Sequence, residues 1–118
     1  MLGTVLELNI GENCWIGRNF EVDGNGTVNI GNNIDIAPNV VINTGGHEID
    51  GVSRRAGKGM VNTVKIEDGC WIGTRVTIIN STKISKGCVV AAGSVIIKDV
   101  EENLLVAGVP AVEKKKLV

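Results

Sequence analysis

IEDGCWIGTRVTIINSTKISKGCVVAAGSVI, residues 66–96, returns an aliphatic residue at every sixth position: Ile66, Ile72, Ile78, Ile84, Val90 and Ile96. A spacing of six keeps no single face of a helix with 3.6 residues per turn. It fits one short strand plus one tight corner, repeated. The fourth residue after each anchor is small or β-branched: Cys70, Val76, Thr82, Cys88, Ser94 and Val100. Anchor and fourth residue point inward together. Gly and Asn gather at the corners, where a positive φ is needed.

The same beat runs upstream through Ile30, Ile36 and Ile42, and before that through Ile10, Ile16 and Val22. Phe20 and Ile34 are the larger residues at the fourth position. "GEN" (11–13), "GNN" (31–33) and "EDG" (67–69) mark corners. Each strand is expected to stack on the one a full coil later, about 4.8 Å away. One repeat cannot bury its apolar face alone, whereas stacked repeats form a continuous core. Composition agrees. Aromatics are 3% of the 118 residues, so the core must be narrow and built from Val, Ile, Ala, Cys and Thr. A chain of this length buries only about 60–70% of its unfolded surface, which favours association with other copies.

The beat breaks twice. "DGNGTVN" (23–29) carries two extra residues. Residues 43–65 interrupt it for longer, and His47, the one histidine of the chain, stands there. A loop extruded from a rigid scaffold is a favoured place for function. An imidazole, with an ordinary pKa near 6.5, can take a proton from a hydroxyl near neutral pH. The net charge of -1 gives no sign of a nucleic-acid partner. No apolar run approaches the ~20 residues of a spanning helix. The opening "MLGTVLELNI" lacks a basic region, so a soluble, cytoplasmic protein without membrane insertion is expected. Cys14, Cys70 and Cys88 fall at inward positions and read as small buried hydrophobes. Three cysteines with no CxxC spacing give no disulfide framework.

The repeat resembles the hexapeptide-repeat, left-handed parallel β-helix proteins, from about residue 8 to residue 112. The resemblance implies an all-β chain of about four triangular coils with one extruded loop at about 43–65. It implies a single domain over 1–118 with a short C-terminal tail from about 104, and a homotrimer. One histidine per chain does not supply the zinc site of the family's carbonic anhydrases, and 118 residues leave no room for a separate nucleotidyltransferase domain. "WIG" at Trp71–Gly73, "AAGSVIIKDV" at 91–100 and "AGVPA" at 107–111 are similar, in order and spacing, to the maltose, galactoside and polysaccharide O-acetyltransferase group. "IGNNIDIAPNVVINTGGH" (30–47) resembles that group's segment ending in the catalytic histidine.

That resemblance implies acetyl-CoA as acyl donor, a saccharide hydroxyl as acceptor, no required metal, and sites between chains of the trimer. His47 would be the general base, oriented by a backbone carbonyl or by Glu48. A backbone N–H near Thr74 would meet the oxyanion. Trp71, Gly73, Ala92 and Gly93 would line the pantetheine arm. Lys98 and Lys115 would meet the CoA phosphates. Asp23 would face the acceptor. In the loop, Arg54, Arg55 and Lys58 either simply solvate it or touch an anionic acceptor or the CoA, with Arg54 and Arg55 the candidates for the acceptor. Trp15, in "NCWIG" (13–17), repeats the Trp71 motif and can be purely structural. Val112 stands where a basic residue is common, Ile97 where Thr is typical, and "NSTKIS" (80–85) replaces "PGVTIG". The sugar-acetylating members carry an N-terminal helical segment that this sequence, opening on the repeat, is expected to lack. Two other readings stay open: a non-catalytic scaffold, and an acyltransferase for a non-sugar acceptor such as an amino-acid hydroxyl, an amine or an antibiotic.

Overall fold

The computed structural model describes residues 6–118. Residues 1–5, on which the reading of the opening stretch partly rests, lie outside the described residues. The hexads form a parallel β-helix with three faces. The first face stacks Glu7–Ile10, Thr27–Ile30, Thr63–Ile66 and Thr82–Ile84. The second stacks Trp15–Ile16, Asp35–Ile36, Trp71–Ile72, Val89–Val90 and Leu104–Gly108. The third stacks Glu21–Asp23, Val41–Asn43, Thr77–Ile78 and Val95–Ile96. The coil is left-handed.

Register explains why the sequence repeats in sixes. Ile10, Ile30, Ile66 and Ile84 form one column. Ile16, Ile36, Ile72, Val90 and Val106 form the second, and Val22, Ile42, Ile78 and Ile96 the third. Every anchor from Ile30 to Ile96 is buried, and each contributes about 1.5–3 kcal/mol by leaving water. Ile10 is 44% exposed because it lies in the first described coil, with a stacked strand on one side only.

At the corners that follow the first-face anchors Ile10, Ile30, Ile66 and Ile84 and the second-face anchors Ile16, Ile36, Ile72 and Val90, the third residue after the anchor turns the chain in the left-handed region. Asn13, Asn19, Asn33, Asn39, Gly69, Gly87 and Gly93 all have positive φ there. Asn side chains also bond from coil to coil, Asn13 to Asn33 at 2.7 Å and Asn19 to Asn39 at 3.0 Å. Arg75 is the exception at this position: its φ is 58°, which costs a side chain of its kind about 1–2 kcal/mol.

One core group is unsatisfied. Thr82 is 3% exposed and faces inward beside Val64, and its hydroxyl finds no partner among the described residues. Thr82→Val keeps the shape and removes the stranded hydroxyl. It should raise stability by about 1 kcal/mol. Denaturant unfolding checks this, and a lower midpoint would show that the hydroxyl is satisfied in solution.

The long break is more ordered than a loop. Strands run to Asn43 and resume at Thr63, so the extrusion is shorter than 43–65. Within it, Gly45–Ile49 pairs antiparallel with Ala56–Val61. Thr44 and Asn62 close the neck through a 2.7 Å backbone hydrogen bond. The departure at "NSTKIS" serves this neck: the Ser81 hydroxyl donates to Asn62 Oδ1 at 3.0 Å. The irregular "DGNGTVN" serves it too. Thr44 Oγ1 accepts from Gly26 N and donates to the Asp23 carbonyl.

The segment from 104 is likewise not a simple tail. Leu104–Gly108 adds a parallel strand to the second face beside Val89–Val90. Ala111–Lys116 folds back antiparallel upon it.

Candidate active site

His47 stands on the first strand of the hairpin, opposite Gly59, with its side chain exposed. Its Nδ1 lies 3.0 Å from the carbonyl oxygen of Gly57. A carbonyl only accepts, so Nδ1 carries the hydrogen. In the neutral ring Nε2 then holds the lone pair. Of the two orienting groups expected, the bond is made by a backbone carbonyl. Glu48, the next residue along an extended strand, points to the other side.

The hairpin leaves the corner between the third and first faces. Asp23 lies at the same corner, paired with Asn43 and tied through its carbonyl to Thr44. Glu21, two residues earlier on the same side of the strand, was missed by the sequence reading. Hydrogen bonding with Asp23, and then the Asp23 charge, raise its pKa above the ordinary carboxylate value. Arg54 and Arg55 sit at the hairpin tip, where Arg55 Nη1 donates to the Asp50 carbonyl at 3.2 Å. Both arginines and Lys58 are exposed.

A second assembly lies on the second face. An apolar groove of about 460 Å³ is lined by Ala37, Trp71, Thr74, Val89, Ala92 and Leu105, with Gly73 at its floor. Four residues expected from the sequence, Trp71, Gly73, Thr74 and Ala92, therefore share one surface. The Thr74 hydroxyl donates to the Pro38 carbonyl at 2.6 Å. The Thr74 backbone N–H has no acceptor among the described residues.

Gly93 sits at the same corner with φ 75°, and a Cβ there would meet nothing within 4 Å. Gly73 differs. A Cβ there would come within 2.7 Å of Ala92 N and 2.8 Å of Val90 O, so close stacking of coils demands the glycine. Lys115 pairs with Leu105 at the groove's far edge. Lys98 lies apart, in a depression of about 250 Å³ beside Ile97, Asp99, Val112 and Glu113. Trp15 shares the outward column of Trp71, with Asp35 between them, and lies outside the groove. Within one chain, His47 and the groove occupy different corners.

Cys70 and Cys88 are held in the core, whereas Cys14, in the first described coil, is half-buried against it. Cys70 Sγ donates to the Ser85 carbonyl at 3.1 Å, and Cys88 Sγ to the Glu101 carbonyl at 2.9 Å. Burial pushes the Cys70 thiol up to about 11 and raises that of Cys88. The thiolate is the reactive form, so both should resist iodoacetamide in the native protein at pH 8. Because burial disfavours the thiolate, Cys70 leaves stability unchanged below pH 9 and lowers it as pH rises from 9 towards about 11, where the unfolded thiol ionises first. Peptide mass mapping after brief alkylation is the check. Rapid native labelling of Cys70 would refute its burial.

Residues 63–98 match the bacterial transferase hexapeptide model of six repeats, and residues 8–44 match the hexapeptide repeat of succinyl-transferase. A maltose O-acetyltransferase structure from Clostridium difficile 630 is 32% identical, with a TM-score of 0.71, over 98% of this chain and 70% of that one. A hexapeptide-repeat acetyltransferase from Vibrio cholerae O1 biovar eltor, complexed with acetyl coenzyme A, is 26% identical with a TM-score of 0.77, over 93% of this chain and 71% of that one. The chain belongs to the hexapeptide-repeat transferase family. The galactoside O-acetyltransferase of Escherichia coli is 38% identical over 85% of this chain. The chain spans about half the length of the curated relatives it matches, 52% of that enzyme and 58% of a yeast relative.

Proposed function

We propose that this protein is an acetyl-CoA-dependent O-acetyltransferase acting on a sugar hydroxyl. The observation that carries the reading is the His47 Nδ1 contact with the Gly57 carbonyl, which leaves Nε2 as a base. In the proposed reaction Nε2 takes the proton of the acceptor hydroxyl. The oxygen attacks the thioester carbonyl carbon. Negative charge gathers on the carbonyl oxygen, and the unengaged Thr74 N–H donates to it. The C–S bond then breaks, and the leaving thiolate takes the proton from the imidazolium.

The groove at Trp71, Gly73, Thr74 and Ala92 has the apolar character that a pantetheine arm suits. Gly93 leaves room at its rim, and Lys115 stands at the far edge for phosphate. Lys98 is the second candidate for phosphate. Asp23, at the base of the hairpin, would bind acceptor hydroxyls, with Arg54 and Arg55 at the tip. His47 and the groove lie on different corners, so a complete site takes its groove from one chain and its hairpin from another in a homotrimer. A cytoplasmic place would give ready access to acetyl-CoA. The named activities of the galactoside and maltose relatives support the saccharide acceptor.

The test is thiol release from acetyl-CoA with galactosides and maltosides as acceptors, with light scattering for the assembly. Acceptor-dependent release from a particle of three chains is expected. A stable monomer, or failure to bind CoA by calorimetry, would favour a non-catalytic scaffold.

A further inference from the structure

Twelve described residues have positive φ, and eleven of them are Gly or Asn; the other is Arg75. Its corner is not short of better choices. The equivalent residues one coil on either side are Asn39 and Gly93. A long cation is thus held where the backbone disfavours it. Strain of this kind collects at ligand sites.

The position is also distinctive. Arg75 directly follows Thr74, which lines the apolar groove, and no charged residue is among those lining it. Arg75 N donates to the Pro38 carbonyl at 3.2 Å, and Gly93 N to the Thr74 carbonyl at 2.9 Å, so both neighbouring coils fix the corner. The Arg75 side chain is exposed, and the space at Gly93 beside it is open. Lys115 lies on the second face in line with Trp71 and three strands from it, about 14 Å at 4.8 Å per strand, whereas Arg75 turns the corner just past the Trp71–Ile72 strand. The two cations therefore mark opposite ends of the groove. With Thr74 at the acyl end, Lys115 stands at the nucleotide end and Arg75 beside the acceptor.

We infer that Arg75 is a specificity-determining residue that pairs with a carboxylate on the acceptor, so that the preferred substrate is an acidic sugar. The inference rests on the transferase reading above. A guanidinium offers two parallel N–H donors to a carboxylate, a geometry no neutral hydroxyl reproduces.

The experiment compares kcat/KM for methyl galactoside and for the matching galacturonoside, which differ in one carboxylate. It uses the intact wild-type protein, Arg75→Asn and Arg75→Lys. In Arg75→Asn the ratio of acidic to neutral acceptor should fall at least ~10-fold, the loss of one charge-assisted contact. Its melting temperature should rise, because Asn tolerates the left-handed corner. Arg75→Lys, which keeps charge and strain, should recover part of the ratio, and KM for acetyl-CoA should stay unchanged in both. A ratio that does not move in Arg75→Asn, or a change confined to KM for acetyl-CoA, overturns the inference. Wild-type turnover of the neutral sugar alone also overturns it and leaves the transferase reading standing. Turnover of neither sugar counts against both.

Discussion

His47→Ala should lower acceptor-dependent thiol release at least ~100-fold, the usual scale for loss of a general base. The melting temperature should hardly change, because the side chain is exposed and makes one hydrogen bond, to the Gly57 carbonyl. Binding of CoA should survive, because His47 does not line the groove. The three readouts together separate lost chemistry from lost structure. His47→Asn tests the tautomer argument. Its amide nitrogen stands where Nδ1 does and can still donate to the Gly57 carbonyl but offers no basic nitrogen, so activity should stay as low as in His47→Ala. Release that persists in either variant removes His47 from the role of base.

The second large effect is expected at Gly73. Gly73→Ala drives a methyl group into the backbone of the next coil, 2.7 Å from Ala92 N and 2.8 Å from Val90 O. Neither atom belongs to a side chain that can turn away. Coil separation on the second face must increase, which strains the Gly73 N–H bond to the Val90 carbonyl, now 2.8 Å. A loss at the upper end of the 1–3 kcal/mol typical of overpacking is expected. The groove should lose CoA affinity as its floor shifts. Gly93→Ala is the control. It meets no atom within 4 Å and costs only its φ of 75°, about 1–2 kcal/mol. Equal losses at the two glycines would show that conformation, not crowding, governs both corners.

Much of the fold was legible because one physical constraint repeats. Ile66, Ile72 and Ile78 face the same narrow axis from three sides, so the sequence prints the geometry in sixes. Asn13, Asn33 and Gly69 announce their corners because few residues accept positive φ. The C-terminal strand was hidden by a change of step. After Ile96 the beat shortens to four at Val100 and then resumes at Val106, which stacks on Val90. The hairpin was hidden for a different reason. Its strands are mostly exposed, so "GGHEI" carries no alternation of apolar and polar residues.

The site was legible in part. Trp71, Gly73 and Thr74 lie at a single corner and Ala92 falls one full coil later, so the stacking of hexads brought them together. The partner of His47 was not legible, because Gly57 is ten residues away and meets it only through the antiparallel register. Glu21 was passed over because a lone exposed acid on a strand carries no signal until Asp23 is seen beside it.

The hairpin neck has an evolutionary consequence. The chain departs at Thr44 and rejoins at Asn62, two residues joined by a 2.7 Å hydrogen bond, so the coil above continues as though nothing had intervened. Lengthening such an excursion costs little, about 0.6 kcal/mol for each doubling. The segment behaves as an exchangeable cassette on a fixed plug. Changes of length or sequence at the hairpin tip, between Ile49 and Ala56, can therefore be accommodated above a neck that the coils already hold closed.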